Sequence, residues 1–161
     1  MNELIQSLID GSRQEAAHYR QLRLLADQQK ELLIGGKVDQ LSENTRLEEK
    51  EVFVLGPLIA KRNELLGKMA KAHGAQTLSL TEALQKAPVE MIEDFKAAVI
   101  ELIHSARQLE ECNQGNEKLL QNALSYVDFT LKAIASGGKK KAFSPSTTKE
   151  ENVSSFVDRI I

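Results

Sequence analysis

Two Glu-x-x-His sequences, Glu15-Ala-Ala-His18 and Glu101-Leu-Ile-His104, carry the residue types that bind iron in helical bundles. On a helix, residues i and i+3 project to one side, so a pair of such motifs plus two further inward glutamates can hold a di-iron centre. Those two glutamates must come from two other helices, and the chain has one other long helix to offer. The apolar seam through Val99 and Leu102 also turns Glu101 and His104 outward. Both motifs are expected on solvated faces, with no metal and no cofactor bound.

Other chemistry is thinner still. Lys139-Lys140-Lys141 lacks the interleaved aromatic residues of a nucleic-acid surface and is expected to be a solubilising linker. The single Cys112 cannot form an internal disulfide and suits a reducing compartment as a small thiol beside a helix seam. No Gly-rich phosphate loop, catalytic carboxylate pair or nucleophile with a base stands out, so no enzyme is expected. A formal net charge of −2 argues against a general nucleic-acid or anionic-membrane binder. Met1-Asn2-Glu3-Leu4 lacks a basic leader segment, and no apolar run approaches the length of a membrane span. The expected location is the cytosol, without membrane insertion.

The elements that must position these residues are helices. The chain has 161 residues, no Trp and only 3 Pro, and is rich in Leu, Ala, Glu, Gln and Lys. From Pro88 to Ala135 apolar residues recur in alternating steps of three and four: Ile92, Phe95, Val99, Leu102, Ala106, Leu109, then Leu120, Ala123, Val127 and Ile134. Such a helix is roughly 70 Å long. A first helix is expected over about 3–34, stopped by Gly35-Gly36, and a second over about 38–73, stopped by Gly74. The second keeps one stripe through Val38, Leu41, Val52, Leu55, Ile59, Leu66 and Met69, so Pro57 predicts a kink and not a boundary. The middle of the first, Gly11 to His18, is poorly apolar and makes it the loosest member. Ser79-Leu80-Thr81-Glu82 is a capping-box sequence for a short helix over about 80–86.

These signals predict an all-α fold, an antiparallel bundle of three long helices over residues 1–135, followed by a flexible tail over 136–161. The first two helices are each roughly 50 Å long and leave something like 15–20 Å of the third uncovered. That overhang, about Ala123 to Ala135, carries Tyr126, Val127, Phe129, Leu131 and Ile134. Exposed apolar surface of this kind marks a partner site, and a guest helix laid along it follows the helix-in-groove mode. Asn113 and Asn116 interrupt the seam just before it. They either lock the bundle through hydrogen bonds to facing helices or mark where it loosens to admit a guest. In the tail, Phe143 and the cluster Val153, Phe156, Val157, Ile160 and Ile161 form a second apolar element that orders only against something else.

The stretch Asn113-Gln114-Gly115-Asn116-Glu117-Lys118-Leu119-Leu120, followed by Tyr126-Val127-Asp128-Phe129, resembles the FlgN family of flagellar type III export chaperones. Ala142-Phe143-Ser144-Pro145 and Ser155-Phe156-Val157-Asp158-Arg159 are similar to that family's tail motifs, with Val157 as an extra residue. Leu22, Leu25, Ala26, Gln29 and Leu33 fit its first helix. The resemblance implies an ATP-independent cytosolic chaperone of flagellar hook-filament junction proteins. It would bind their terminal helical segment, prevent early assembly, and deliver them to the export gate and its ATPase complex. Client binding would fall on Asn113, Asn116, Leu119, Leu120, Ala123, Tyr126, Val127, Phe129, Leu131 and Ile134. The tail residues Phe143, Phe156, Val157, Ile160 and Ile161 would make a further contact with client or gate. Two readings compete: a structural coiled-coil adaptor that buries the overhang in a homodimer, and, more remotely, the di-iron bundle.

Overall fold

A computed structural model describes residues 1–136. They form α1 (Asn2–Ile34), α2 (Val38–Ala72), a short α3 (Leu80–Gln85) and α4 (Val89–Ala135). The described residues contain no strand, and none of these helices is long and apolar enough to cross a membrane. The fold is therefore all-α, with three long helices running up, down and up.

Both long helices that precede a turn end on glycine. Gly36 has φ +64°, and the N–H groups of Gly36 and Lys37 reach back to the carbonyls of Leu33 and Leu32. Gly74, at φ +67°, repeats the arrangement: the N–H groups of Gly74 and Ala75 donate to Lys71 and Ala70. This is a Schellman end, in which a left-handed residue lets the last carbonyls of a helix find donors. Pro57 lies inside α2 without ending it. Its neighbours Phe53 and Gly56 are exposed, so the carbonyl that loses its donor faces water. The capping-box sequence forms that motif: the Ser79 N–H donates to Glu82 Oε2 at 2.8 Å, and the Glu82 N–H to Ser79 Oγ at 3.2 Å.

Cross-helix bonds fix the register. Between α1 and α2, Glu15 meets Arg62, His18 meets Glu51, and the Leu25 carbonyl accepts from Asn44, so this pair is antiparallel. Between α1 and α4, Arg13 meets Asp94, Arg20 meets Glu101, and Asn116 donates to the Ala26 carbonyl, so this pair is parallel. α1 lies close against both neighbours, whereas the backbones of α2 and α4 stay more than 8 Å apart and both helices contribute side chains to the one core. Leu80 and Ala83 of α3 join the core beside the start of α4.

The first helix is thus not the loosest member, as its poorly apolar middle suggested, but the shared one. Ser12, Glu15, Ala16 and Tyr19 are all fully buried, with Ile5, Leu8, Ile9 and Ala26 extending the same face. The sequence misleads here because Glu15, expected on a solvated face, is buried against the Arg62 guanidinium. An inward charge is tolerated when it is paired. α1 then completes its core with small residues that let both neighbours come near.

Candidate functional site

Asn116 sets the level at which the bundle ends. It is 2% exposed, and its side-chain amide donates to the Ala26 carbonyl at 2.7 Å and to Gln29 Oε1 at 3.0 Å. Gln29 in turn donates to Glu48 Oε2 on α2 at 3.4 Å. One polar layer, Glu48–Gln29–Asn116, therefore ties the three long helices together. α1 stops five residues later at Ile34, and α2 starts at Val38 on the same level. α4 continues to Ala135, about 14 residues or about 21 Å beyond both.

On that overhang Leu120, Leu124, Val127, Leu131 and Ile134 are between 41% and 72% exposed. At 100° per residue they fall within about 40° of Leu120, so they form one continuous stripe. Tyr126 is exposed on a neighbouring flank, and Phe129, half-buried, lies half a revolution round the helix from Leu120. Ala123 is exposed and Leu119 half-buried on the Tyr126 side. The flanking charges are modest: Lys132 pairs with Asp128, and the Thr130 hydroxyl donates to the Tyr126 carbonyl.

The two asparagines separate. Asn116 belongs to the α1–α4 seam, while Asn113, one turn earlier, is exposed. Leu124 is absent from the strict heptad pattern, yet it is 69% exposed at the centre of the stripe. Its signal is the pair of helical spacings to Leu120 (four before) and Val127 (three after). Phe143, Phe156, Val157, Ile160 and Ile161 lie outside the described residues.

α2 adds exposed apolar groups that the sequence places inside the bundle. Val38 is 70% and Val52 56% exposed, although both stand on the helix's heptad stripe. Phe53, beside Val52, is 82% exposed. Thr45, Glu48, Glu49, Val52 and Phe53 line a shallow depression whose exposed lining is mostly apolar. Burial pushes the Glu48 carboxyl above its ordinary range.

The candidate chemical groups are held in structural contacts. Glu15 accepts from Arg62 at 2.6 Å, with both side chains buried. Its carboxyl is pushed up to about 7 by burial, against the opposing pull of the Arg62 charge. His18 pairs with Glu51, Glu101 with Arg20, and His104 is exposed. Among the described residues no group of three or more His, Cys, Asp or Glu could hold a metal ion. The Cys112 thiol sits 3.3 Å from an Asp27 carboxylate oxygen, and burial followed by that contact raises its pKa. A thiol so placed is a poor nucleophile. What the molecule offers a partner is apolar helix surface.

Comparison with known protein families matches residues 1–151 to the family described as FlgN protein. No curated protein and no solved structure matches the chain.

Proposed function

The chain belongs to the FlgN family, a family of flagellar export chaperones, and on that premise we propose that its clients are hook-filament junction proteins, held by a terminal helical segment. The observation that carries this reading is the overhang of α4, with Leu120, Leu124, Val127, Leu131 and Ile134 exposed along one side. A client segment that forms a coiled coil once assembled carries an apolar stripe and is unpartnered before export. Laid along the overhang, that stripe is hidden from other copies of the client, which prevents early assembly. Ordering the segment costs conformational entropy, so the complex stays weak enough to release without ATP. The chaperone then hands its client to the export gate and the associated ATPase complex. Residues 142–161, with Phe143, Phe156, Val157, Ile160 and Ile161, act as a second contact for client or gate.

Client contact on this reading involves Leu120, Leu124, Val127, Leu131 and Ile134 first, with Leu119, Ala123, Tyr126 and Phe129 as flanking groups. Asn113 stands at the entrance to the stripe, and Asn116 holds α4 against α1 beneath it. The test is calorimetry against the C-terminal segment of the first hook-filament junction protein of the same organism. The unaltered chain should bind it 1:1 at micromolar affinity or better. Leu124→Asp with Leu131→Asp should abolish binding while the protein still melts as a helical bundle. Tyr126→Ala with Phe129→Ala should weaken it less. Absence of binding to both the segment and its full-length parent would overturn the proposal.

A further inference from the structure

We propose that the guest on the overhang is a pair of helices, one client segment folded back on itself, so that client and α4 together continue the three-helix bundle. This rests on the function proposed above and specifies the form in which the client is held.

The first ground is the breadth of the stripe. Leu120, Leu124, Val127 and Ile134 stand 18 residues, or five turns, beyond Leu102, Ala106, Leu109 and Asn116. Those four earlier residues are 0–8% exposed. The overhang therefore repeats, over the same sector of about 80°, a face that lies inside the bundle lower down. One edge of that face belongs to α1: Asn116 donates to the Ala26 carbonyl, and Cys112, farther round to the same side, meets Asp27. Ala106 lies about 80° round from Asn116 and is fully buried, in the core to which α2 contributes Leu55 and Leu66. Where the face is covered, two helices cover it. A stripe of this breadth suits a bundle, whereas the seam between two helices alone is narrower.

The second ground is the foot of the stripe. α1 ends at Ile34 and α2 begins at Val38, and these residues are 62% and 70% exposed. Each of the two helices that stop there leaves an apolar residue at the level where a guest helix starts.

The third ground is length. The uncovered part of α4 is about 21 Å, enough for about 14 residues of a straight guest helix. Such a helix gains no more by running on. Below Leu120 the same face of α4 is already core, and beyond Ala135 the helix has ended. Folded back, the segment lays about 28 residues against the overhang, with the stripes of both arms turned towards α4 and each other. The arm above α2 runs beside Glu117 and the Asp128–Lys132 pair, so it is expected to carry a basic flank. The arm above α1 runs beside Tyr126 and Thr130 and needs no charge.

The experiment uses the full-length chain and the same junction-protein C-terminal segment, taken about 40 residues long to hold both arms and a turn. Hydrogen exchange in both molecules is followed by mass spectrometry, and helix gain on mixing by circular dichroism. The expected result is two protected blocks of about 14 residues in the segment and a gain of about 28 helical residues. Either half-segment alone should bind at least about tenfold more weakly than the whole. A single protected block, or a half-segment that binds within about threefold of the whole, overturns the inference and leaves the proposed function standing. Protection gained in residues 153–161 in place of the second client block assigns that helix to the chain's own terminus, which also overturns it. So does a complex that sediments with two copies of the chain on one segment showing one protected block, since a second copy then supplies the helix. Absence of binding to both the segment and its full-length parent overturns the function and the inference together.

Discussion

Arg62 on α2 donates to the Glu15 carboxylate on α1 at 2.6 Å, and the two side chains are 5% and 0% exposed. This is the one buried ion pair among the described residues, and it joins the central helix to its neighbour. Above about pH 7, where Glu15 is ionised, removing one member strands the other charge away from water. Arg62→Ala is expected to destabilise the bundle by about 3–5 kcal/mol, whereas Glu15→Leu with Arg62→Met is expected to be near neutral. Urea unfolding followed by circular dichroism distinguishes the two outcomes.

Glu15 also makes stability depend on pH. Its folded pKa is about 7 against an ordinary value of 4.5, so between these values the folded state holds a proton that the unfolded chain has released. Its contribution is fully present below about pH 4.5 and is lost as pH rises through about 7. The effect is on the order of 1–3 kcal/mol. Melting temperature measured across this range should therefore fall more steeply for the natural chain than for Glu15→Gln. The comparison cancels Glu48, which is also shifted upward, and the exposed Glu43, Glu64 and Glu82, which are shifted downward.

Stability and client binding should separate along α4. Asn116→Ala removes two hydrogen bonds to α1, one buried and one half-buried, and should cost about 1–3 kcal/mol in chemical denaturation, with client affinity changed less than threefold. Leu124→Ala should behave in the opposite way: unfolding within about 0.5 kcal/mol of the parent, because the side chain is already in water, and client affinity reduced.

The glycines divide into two classes. Gly36→Ala and Gly74→Ala place a Cβ at positive φ and should each destabilise by about 1 kcal/mol. Gly11 and Gly115 sit in helix interiors where an added methyl group meets nothing within 4 Å, so alanine there should stabilise by about 0.5–1 kcal/mol. Thermal melts of the four single variants would show the split.

Deleting residues 142–161 is expected to weaken binding to the client or to the export gate without lowering the melting temperature of the bundle. Pull-down and calorimetry with each partner would reveal it. Unchanged binding to both would remove the tail from the mechanism.

Much of the architecture is legible because it rests on strong local signals. Gly35-Gly36 and Gly74 end helices through backbone conformation, and the Ser79–Glu82 box starts one. The excess length of α4 follows from counting residues. What the pattern hides is anything that depends on pairing. Glu15 counts as a surface residue until Arg62 is placed beside it, so α1 looks weak when it is central. Asn113 and Asn116 have the same type and share a turn, and only the position of Gln29 tells the buried one from the exposed one. Leu124 escapes because a strict 3.5-residue repeat steps from Leu120 to Ala123, while a straight helix at 3.6 residues per turn drifts away from that repeat. The same drift carries Val38, Thr45 and Val52 out of the interior while Leu66 stays in it.

The turn at Gly35-Gly36 stands at the foot of the overhang, which makes the α1–α2 hairpin a ruler. Exposed length on α4 is the difference between that helix and the hairpin beside it, so it can be adjusted without touching a contact residue. Seven residues added to each arm of the hairpin would raise the turn by about 10 Å and sheathe half of the stripe. Two fewer turns in each arm would bare correspondingly more. Chains with the same α4 sequence but different hairpins would then grip the same guest with graded strength, a form of tuning that side-chain replacement at the stripe does not provide.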